Sequence, residues 1–393
     1  MPMLILLIGT GIYFTVRTHF FQILYARVVN RLTFMGIFRQ KNVRKTGDKR
    51  AISQFQALST ALAATIGVGN IAGVATAITI GGAGAVFWMW FSAFFGMMTN
   101  YSENVLGIFF RKRNSRGEWS GGAMYYIENG FKQRRGLKHI AKPLAVIFCV
   151  FCVLASFGIG NLSQVNTIAI SMQTAFALPP LAVGIVLAII ASMVIIGGVK
   201  RIAKVAENIV PFMAIAYILA TLAILVMNIS KVPAVFGAIF SGAFGVDAVA
   251  GGISGALIKQ AVTMGFKRGV FSNEAGLGSS VMVHSSTDVK EPVVQGIWGI
   301  FEVFFDTIIV CTLTAFAVLS TVDVGSTTLQ GVSLVTEAFS VNFHSAAGAM
   351  LAVAVTLFAF TTVLGWSFYG TKAMEYLFGE NSTIYYKCVF IIL

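Results

Sequence analysis

The chain has 393 residues, of which 57% are hydrophobic and only 11% charged, against about a quarter charged in soluble domains. That balance excludes an ordinary soluble globular protein and fits an all-α polytopic membrane protein. The formal net charge of +13 does not point to nucleic acid, because the excess sits in short loops between apolar runs.

Apolar runs of about 20 residues, enough to cross roughly 30 Å of hydrocarbon, recur along the chain. They predict spans near 1–20, 55–80, 84–110, 143–174, 180–198, 206–228, 250–284, 293–320 and 346–370, with another beginning near 383. The first run lacks a basic start and a small-residue cleavage site, so it reads as a shortened outside-to-inside helix rather than a signal peptide. The chain stops at Leu393, part-way into the last run, and reads as lacking its C-terminal part. Arg27, Arg31, Arg39, Lys41, Arg44, Lys45, Lys49 and Arg50 fill one connection. Arg111, Lys112, Arg113, Arg116, Lys132, Arg134, Arg135, Lys138 and Lys142 fill another, and Lys200, Arg201 and Lys204 a third. The alternate loops near 80–85, 174–182 and 321–345 hold almost none, the positive-inside pattern that puts the basic loops in the cytoplasm. Cys149 and Cys152 form a CxxC inside an apolar run, without the second pair or histidine that a zinc site needs.

Two spans are irregular. Residues 63–73 place Gly67, Gly69 and Gly73 with Thr65 and Asn70 at mid-depth, where an ordinary span carries Leu and Ile. Glycine costs roughly 1 kcal/mol in a helix interior, and an unwound segment survives in lipid only where it lines a cavity. The competing reading is a packing face, since Gly69 and Gly73 form a GxxxG pair. The second irregular stretch, Gly265 to Ser280, is the sixth span counted from residue 55, as the first is the first. Broken helices at equivalent positions of two five-helix halves mark an inverted-repeat transporter and its binding site. The expected layout is one domain over 1–393, with an extra helix at 1–20, a first repeat at 55–228 and an incomplete second repeat at 250–393.

Several motifs resemble the alanine/glycine:cation symporter family, also called sodium:alanine symporters. Thr60–Ala77 resembles its first core helix, and Gly84–Trp90 with Thr99–Glu103 its second. Gly117–Tyr126 resembles the loop that follows, and Lys267–Ser279 is close to a family hallmark. The likeness covers essentially the whole chain. It implies a leucine-transporter-like five-plus-five bundle that couples sodium to a small neutral amino acid, alanine or glycine, by alternating access in a prokaryotic inner membrane. No cofactor and no nucleic-acid partner are expected; the partners are the amino acid, Na⁺ and the bilayer.

A zwitterionic substrate needs donors for its carboxylate, acceptors for its ammonium and walls sized to its side chain. Unwinding at Ile66–Gly69 starts a new half-helix whose free N–H groups favour an anion, which makes the amides of Val68, Gly69 and Asn70 the expected donors. Gly67 and Gly69 permit close approach. Gln164 is the candidate side chain for the ligand's charged groups, with an interhelical hydrogen bond as the rival role. Phe271 and Trp366 are expected to wall the pocket. By the resemblance, one sodium site uses the Ala63 and Ile66 carbonyls with the Thr361 and Thr362 hydroxyls. A second uses the Thr65 carbonyl and the Asn70 side-chain oxygen. The threonines' rival role is bonding back to their own helix.

Glu103, Glu207, Glu274, Glu302 and Asp306 are acids at membrane depth and functional candidates by default. Glu274, with Asn273, lies in the second break and is the candidate for gating or coupling. The bland alternative pairs these acids with Lys259, Lys267, Arg268 or loop cations. No ionisable group stands in the first break, which favours sodium over protons; a proton-coupled or different-substrate carrier of the same fold is the alternative. An enzyme is disfavoured because His19, His139, His284 and His344 fall in loops or at span ends.

Overall fold

The computed structural model describes residues 2–245 and 254–393. Met1 of the first expected span, and residues 250–253 of the span at 250–284, lie outside the described residues. The architecture is helical, with one two-stranded hairpin pairing Lys112–Arg113 with Trp119–Ser120 in the basic loop. Four described helices are long and apolar enough to cross a membrane: Lys138–Phe176, Gly198–Met227, Pro292–Thr321 and Ala346–Phe378. The pair Gln54–Thr65 and Gly69–Gly81, bent by 52° at its break, is long and apolar enough to make a fifth if taken as one span.

The first broken helix starts where local chemistry dictates. Ser53 accepts from the Gln56 N–H at 3.2 Å and Gln56 Oε1 accepts from the Ser53 N–H at 3.0 Å, a capping box that satisfies two otherwise free donors. The same Gln56 donates to Glu207 Oε2 at 2.9 Å, which ties this helix to Gly198–Met227. Gly84–Phe110 runs beside Ser254–Asn273 along a seam of small residues. A Cβ at Gly265 would overlap Trp88, and one at Gly269 would overlap the Ser92 hydroxyl. Close backbone approach replaces the hydrophobic driving force that lipid removes.

Several expected boundaries move. The runs at 1–20, 180–198 and 383 onward become helices Pro2–Arg17, Pro180–Ile195 and Ser382–Ile392, of 16, 16 and 11 residues. Two stretches read as connections are helical: Val232–Phe244 and Gly331–Phe343. At 13 residues each they are shorter than the roughly 20 a crossing requires, so a search for spans passes over them. The span read at 143–174 starts earlier and continues through a wide-turn segment, Gly158–Leu162, the kind of helix defect that often marks a functional site.

Candidate functional site

The helix Gln54–Thr65 ends because its next donors turn away. The Gly67 N–H, which in a continuous helix would bond Ala63, goes to the Thr65 carbonyl at 3.0 Å and to Asn70 Oδ1 at 2.9 Å. The Asn70 N–H goes to the Gly67 carbonyl at 3.2 Å, so the helical donor for Ile66 is diverted as well. The chain resumes as a wide-turn segment, Gly69–Gly73, and then Val74–Gly81. This frees the Ala63 and Ile66 carbonyls from the α-ladder and places the Val68 and Gly69 amides in the first turn of a new half-helix, where N–H groups lack intrahelical acceptors. The expected Asn70 amide donor is a correction, because its N–H is engaged by Gly67. The packing reading of Gly69 and Gly73 does not hold: added Cβ atoms would meet only ordinary contacts, at 3.6 Å and 3.9 Å. Gly67 is different, since a Cβ there would overlap Thr362 Oγ1.

Beside this break lies a cavity of about 390 Å³ whose lining includes Thr65, Gly67, Gly69, Gln164, Phe271, Glu274, Thr362 and Trp366; Ala63, Ile66 and Val68 do not line it. Gln164 donates through Nε2 to the Ile159 carbonyl at 3.1 Å, while its buried Oε1 has no partner. A buried acceptor without a partner is costly unless a donor reaches it. Thr361 and Thr362 do bond back to their helix, Thr361 to Leu357 and Phe358 and Thr362 to Phe358, all at 3.0 Å. Those bonds use the hydroxyl protons and leave oxygen lone pairs for a cation. Thr361 does not line the cavity; it is fully buried, with its hydroxyl 3.5 Å from Met213 Sδ. The Val68 side chain packs into the core, so its contribution is its backbone.

Behind Asn70 lies a buried polar knot. Asn70 Nδ2 donates to Asp306 Oδ1 at 2.7 Å, while Ser272 Oγ and Thr307 Oγ1 both donate to Asp306 Oδ2 at 2.8 Å. Asp306 sits in a wide-turn segment, Phe304–Cys311, and is fully buried. Among the described residues no cation pairs with it. Cys311, uninformative in the sequence, contacts both Asn70 and Ser272 through Sγ, at 3.4 Å and 3.3 Å.

The second break follows Ser254–Asn273. Gly276 and Gly278 have φ +91° and +70°, values that glycine adopts without penalty, whereas Glu274, at φ +55°, is held in a region that L side chains rarely adopt. Glu103 holds this turn, accepting from the Gly276 N–H at 3.1 Å and the Gly278 N–H at 2.9 Å. Glu274 accepts from the Ser279 hydroxyl and borders the cavity. Asn273 points elsewhere: it donates to Thr307 Oγ1 at 3.1 Å and accepts from the Ala275 N–H at 3.1 Å. The acids do not pair with Lys259, Lys267 or Arg268, which form no ion pair among the described residues. His284 is corrected too. It ends the helix Val281–His284 but is fully buried, with Nε2 3.0 Å from Glu302.

A helical membrane bundle whose two broken helices border one cavity has the architecture of a membrane transporter. The sodium:alanine symporter family model matches residues 1–393. The chain belongs to that family: it performs sodium-coupled amino-acid symport and is not an enzyme. The sodium/alanine symporter AgcS of Methanococcus maripaludis is 45% identical over all of this chain and 84% of its own length. The probable sodium/glutamine symporter GlnT of Bacillus subtilis is 35% identical over 98% of this chain and 76% of its own. A solved manganese transporter from Eremococcus coleocola aligns over 90% of this chain and 74% of its own with TM-score 0.60, at 11% identity, a likeness of fold alone.

Proposed function

We propose that the chain carries a small neutral amino acid, alanine or glycine, inward with sodium by alternating access around the 390 Å³ cavity. The frame for this is a five-plus-five inverted repeat with one extra N-terminal helix, in a prokaryotic plasma membrane with the basic loops in the cytoplasm. The observation that carries the reading is the pairing of opposite valences in one cavity. Gly69, at the start of the half-helix, brings an amide donor for a carboxylate, and the side chains of Gln164 and Glu274, which line the same cavity, bring acceptors for an ammonium. Phe271 and Trp366 form the wall that meets the side chain.

Sodium prefers hard oxygen ligands, as the related hard cations do. The first site takes the Ala63 and Ile66 carbonyls with the Thr361 and Thr362 hydroxyl oxygens. The second takes the Thr65 carbonyl, Asn70 Oδ1 and the Asp306 carboxylate. A carboxylate buried in hydrocarbon with three neutral donors and no cationic side chain carries an uncompensated charge, which a sodium ion neutralises.

The test is radiolabelled alanine uptake into proteoliposomes holding the chain, under an inward sodium gradient or with isosmotic choline. Uptake should require sodium and collapse in Asn70→Ala and Thr362→Ala. Uptake that ignores sodium but follows a pH gradient would overturn the sodium assignment. Competition by unlabelled alanine, glycine and glutamine reads the substrate class, with glutamine expected to compete least.

A further inference from the structure

One buried polar group takes no part in the steps above. His284 lies between two side chains of the helix Pro292–Val303, with Nε2 3.0 Å from Glu302 Oε2 and Nδ1 2.6 Å from Gln295 Nε2. All three residues are fully buried. Gln295 and Glu302, seven residues apart, share one face two turns along the helix. Three oxygens here have no donor: Glu302 Oε1, Gln295 Oε1 and Asn104 Oδ1. Asn104 belongs to the same neighbourhood, because a Cβ on Gly299, between Gln295 and Glu302 on that face, would stand 2.7 Å from its Nδ2.

Charge decides what the group holds. A neutral imidazole beside an ionised Glu302 leaves a net negative charge at membrane depth, with one carboxylate oxygen unpartnered, which is expensive. Among the described residues the ion-pair partner of Glu302 is His284 and no lysine or arginine. One added proton makes the group neutral. Placed on His284 Nδ1, it needs an acceptor, and a half-rotation of the Gln295 amide presents the unpartnered Oε1 to it. The Nε2–H then donates to Glu302.

We infer that His284 and Glu302 form a proton-binding site, and that its occupancy sets the rate of sodium-driven transport. Its place in the fold supplies the coupling. His284 lies beyond the second break, and Glu302 stands one helical turn before Asp306, so the pair ties the second half-helix to the helix that holds the polar knot. The elements packed around it carry Tyr101 and Glu103 on Gly84–Phe110, Glu274 in the second break, and Asp306. Ala346–Phe378 adds Tyr369, Lys372 and Glu375, the last two paired with each other at 2.8 Å. Arg27 and Arg31 lie on Ala26–Leu32, and Gln54–Thr65 carries no titratable group. Arg111 is engaged with the carbonyls of Ser285, Thr287 and Val289, and Asp288, Lys290 and Glu291 lie in the same turn. Acids outnumber free cations next to the pair, so losing its proton adds a negative charge beside others.

The test uses the full chain in proteoliposomes, with initial rates of sodium-driven alanine uptake at equal pH on both sides. The range runs from about pH 5.5 to about pH 9, bracketing ordinary histidine. The wild-type rate should fall at least about tenfold toward alkaline pH as the proton leaves, about one decade per pH unit for a single proton. Glu302→Gln removes the charge that requires the proton and should give a profile clearly shallower than the wild type's. His284→Gln should displace the profile, and Gln295→Met, which removes the amide that meets Nδ1, should move its midpoint. A flat wild-type profile, or a wild-type slope kept in all three variants, overturns the inference. This readout rests on the transport reading above. Absence of sodium-driven uptake at every pH would be a failure of that reading, and thermal melting against pH then reads the proton directly. Wild-type stability should fall more steeply with rising pH than that of Glu302→Gln, since the other buried acids are common to both; parallel curves would overturn the site.

Discussion

Gly67 is where one methyl group separates a working break from a blocked one, because its missing Cβ is the space that Thr362 Oγ1 occupies. Gly67→Ala is expected to destabilise the protein by about 1–3 kcal/mol, the usual range for overpacking, and to abolish uptake. The double variant Gly67→Ala with Thr362→Ala should regain melting temperature in detergent but not sodium-dependent uptake. If it regained neither, the overlap would not be the cause. Asp306→Asn removes the carboxylate of the proposed second sodium site. The sodium concentration for half-maximal uptake should rise at least about tenfold, which corresponds to about 1.4 kcal/mol of lost binding. Gln164→Leu, which removes the unpartnered acceptor, should raise the alanine concentration for half-maximal uptake and leave the sodium dependence in place. Gln164, Gly67 and Glu274 were legible in the sequence because each is an anomaly within its own span. The ring of donors around Asp306 was not, because Asn70 and Ser272 reach it from two other segments to join its neighbour Thr307, and no local pattern records that convergence.

At the scale of elements, both breaks are made by diverted backbone donors, but different groups hold them. The first is held by its own Asn70, whose Oδ1 accepts the Gly67 N–H. The second is held from outside, by Glu103 on Gly84–Phe110. Glu103→Ala leaves two N–H groups without acceptors, and a buried unsatisfied donor costs about 1–3 kcal/mol. The variant should melt at lower temperature and show faster amide hydrogen exchange at Gly276 and Gly278, with exchange in Gly198–Met227 unchanged. Glycine density located both breaks in the sequence. The helices Val232–Phe244 and Gly331–Phe343 were missed, because an apolar run of 13 residues satisfies neither a span nor a loop pattern.

For the whole molecule, the basic end carries a strap across the two broken helices. Arg113 pairs with Asp48 at 2.6 Å, and both Arg111 and Arg113 stack on Trp119, at 3.9 Å and 4.3 Å from its ring. Thr46 donates to Asp288 at 2.6 Å, and Ile52 forms a parallel bridge with Thr287. The segment leading into the first broken helix is thus tied to the segment leaving the second. Alternating access requires this tie to open, so Asp48→Cys with Arg113→Cys, in a Cys388→Ser background, should lose uptake on oxidation and recover it on reduction. Uptake unaffected by a formed disulfide would show that the strap stays shut throughout the cycle. The hydrogen bond from Arg113, aided by the Arg50 N–H, holds the Asp48 carboxyl below the usual carboxylate range. A depressed carboxyl contributes stability that is fully present above about pH 4 and is lost as pH falls through its folded value. The strap should therefore be indifferent to pH near neutrality and weaken only in acid, as limited proteolysis of the 45–50 segment against pH would show.

Composition, the placement of basic residues and two glycine-rich interruptions were enough by themselves to determine a polytopic membrane transporter with broken helices. Each of those is a local property, readable within one turn or one span. Tertiary structure alone decided which acid stands behind Asn70, which one clamps the second break, and that His284 is buried against Glu302 rather than lying free at a span end. A buried polar group is tolerated only when its partners surround it, and those partners come from segments distant in sequence.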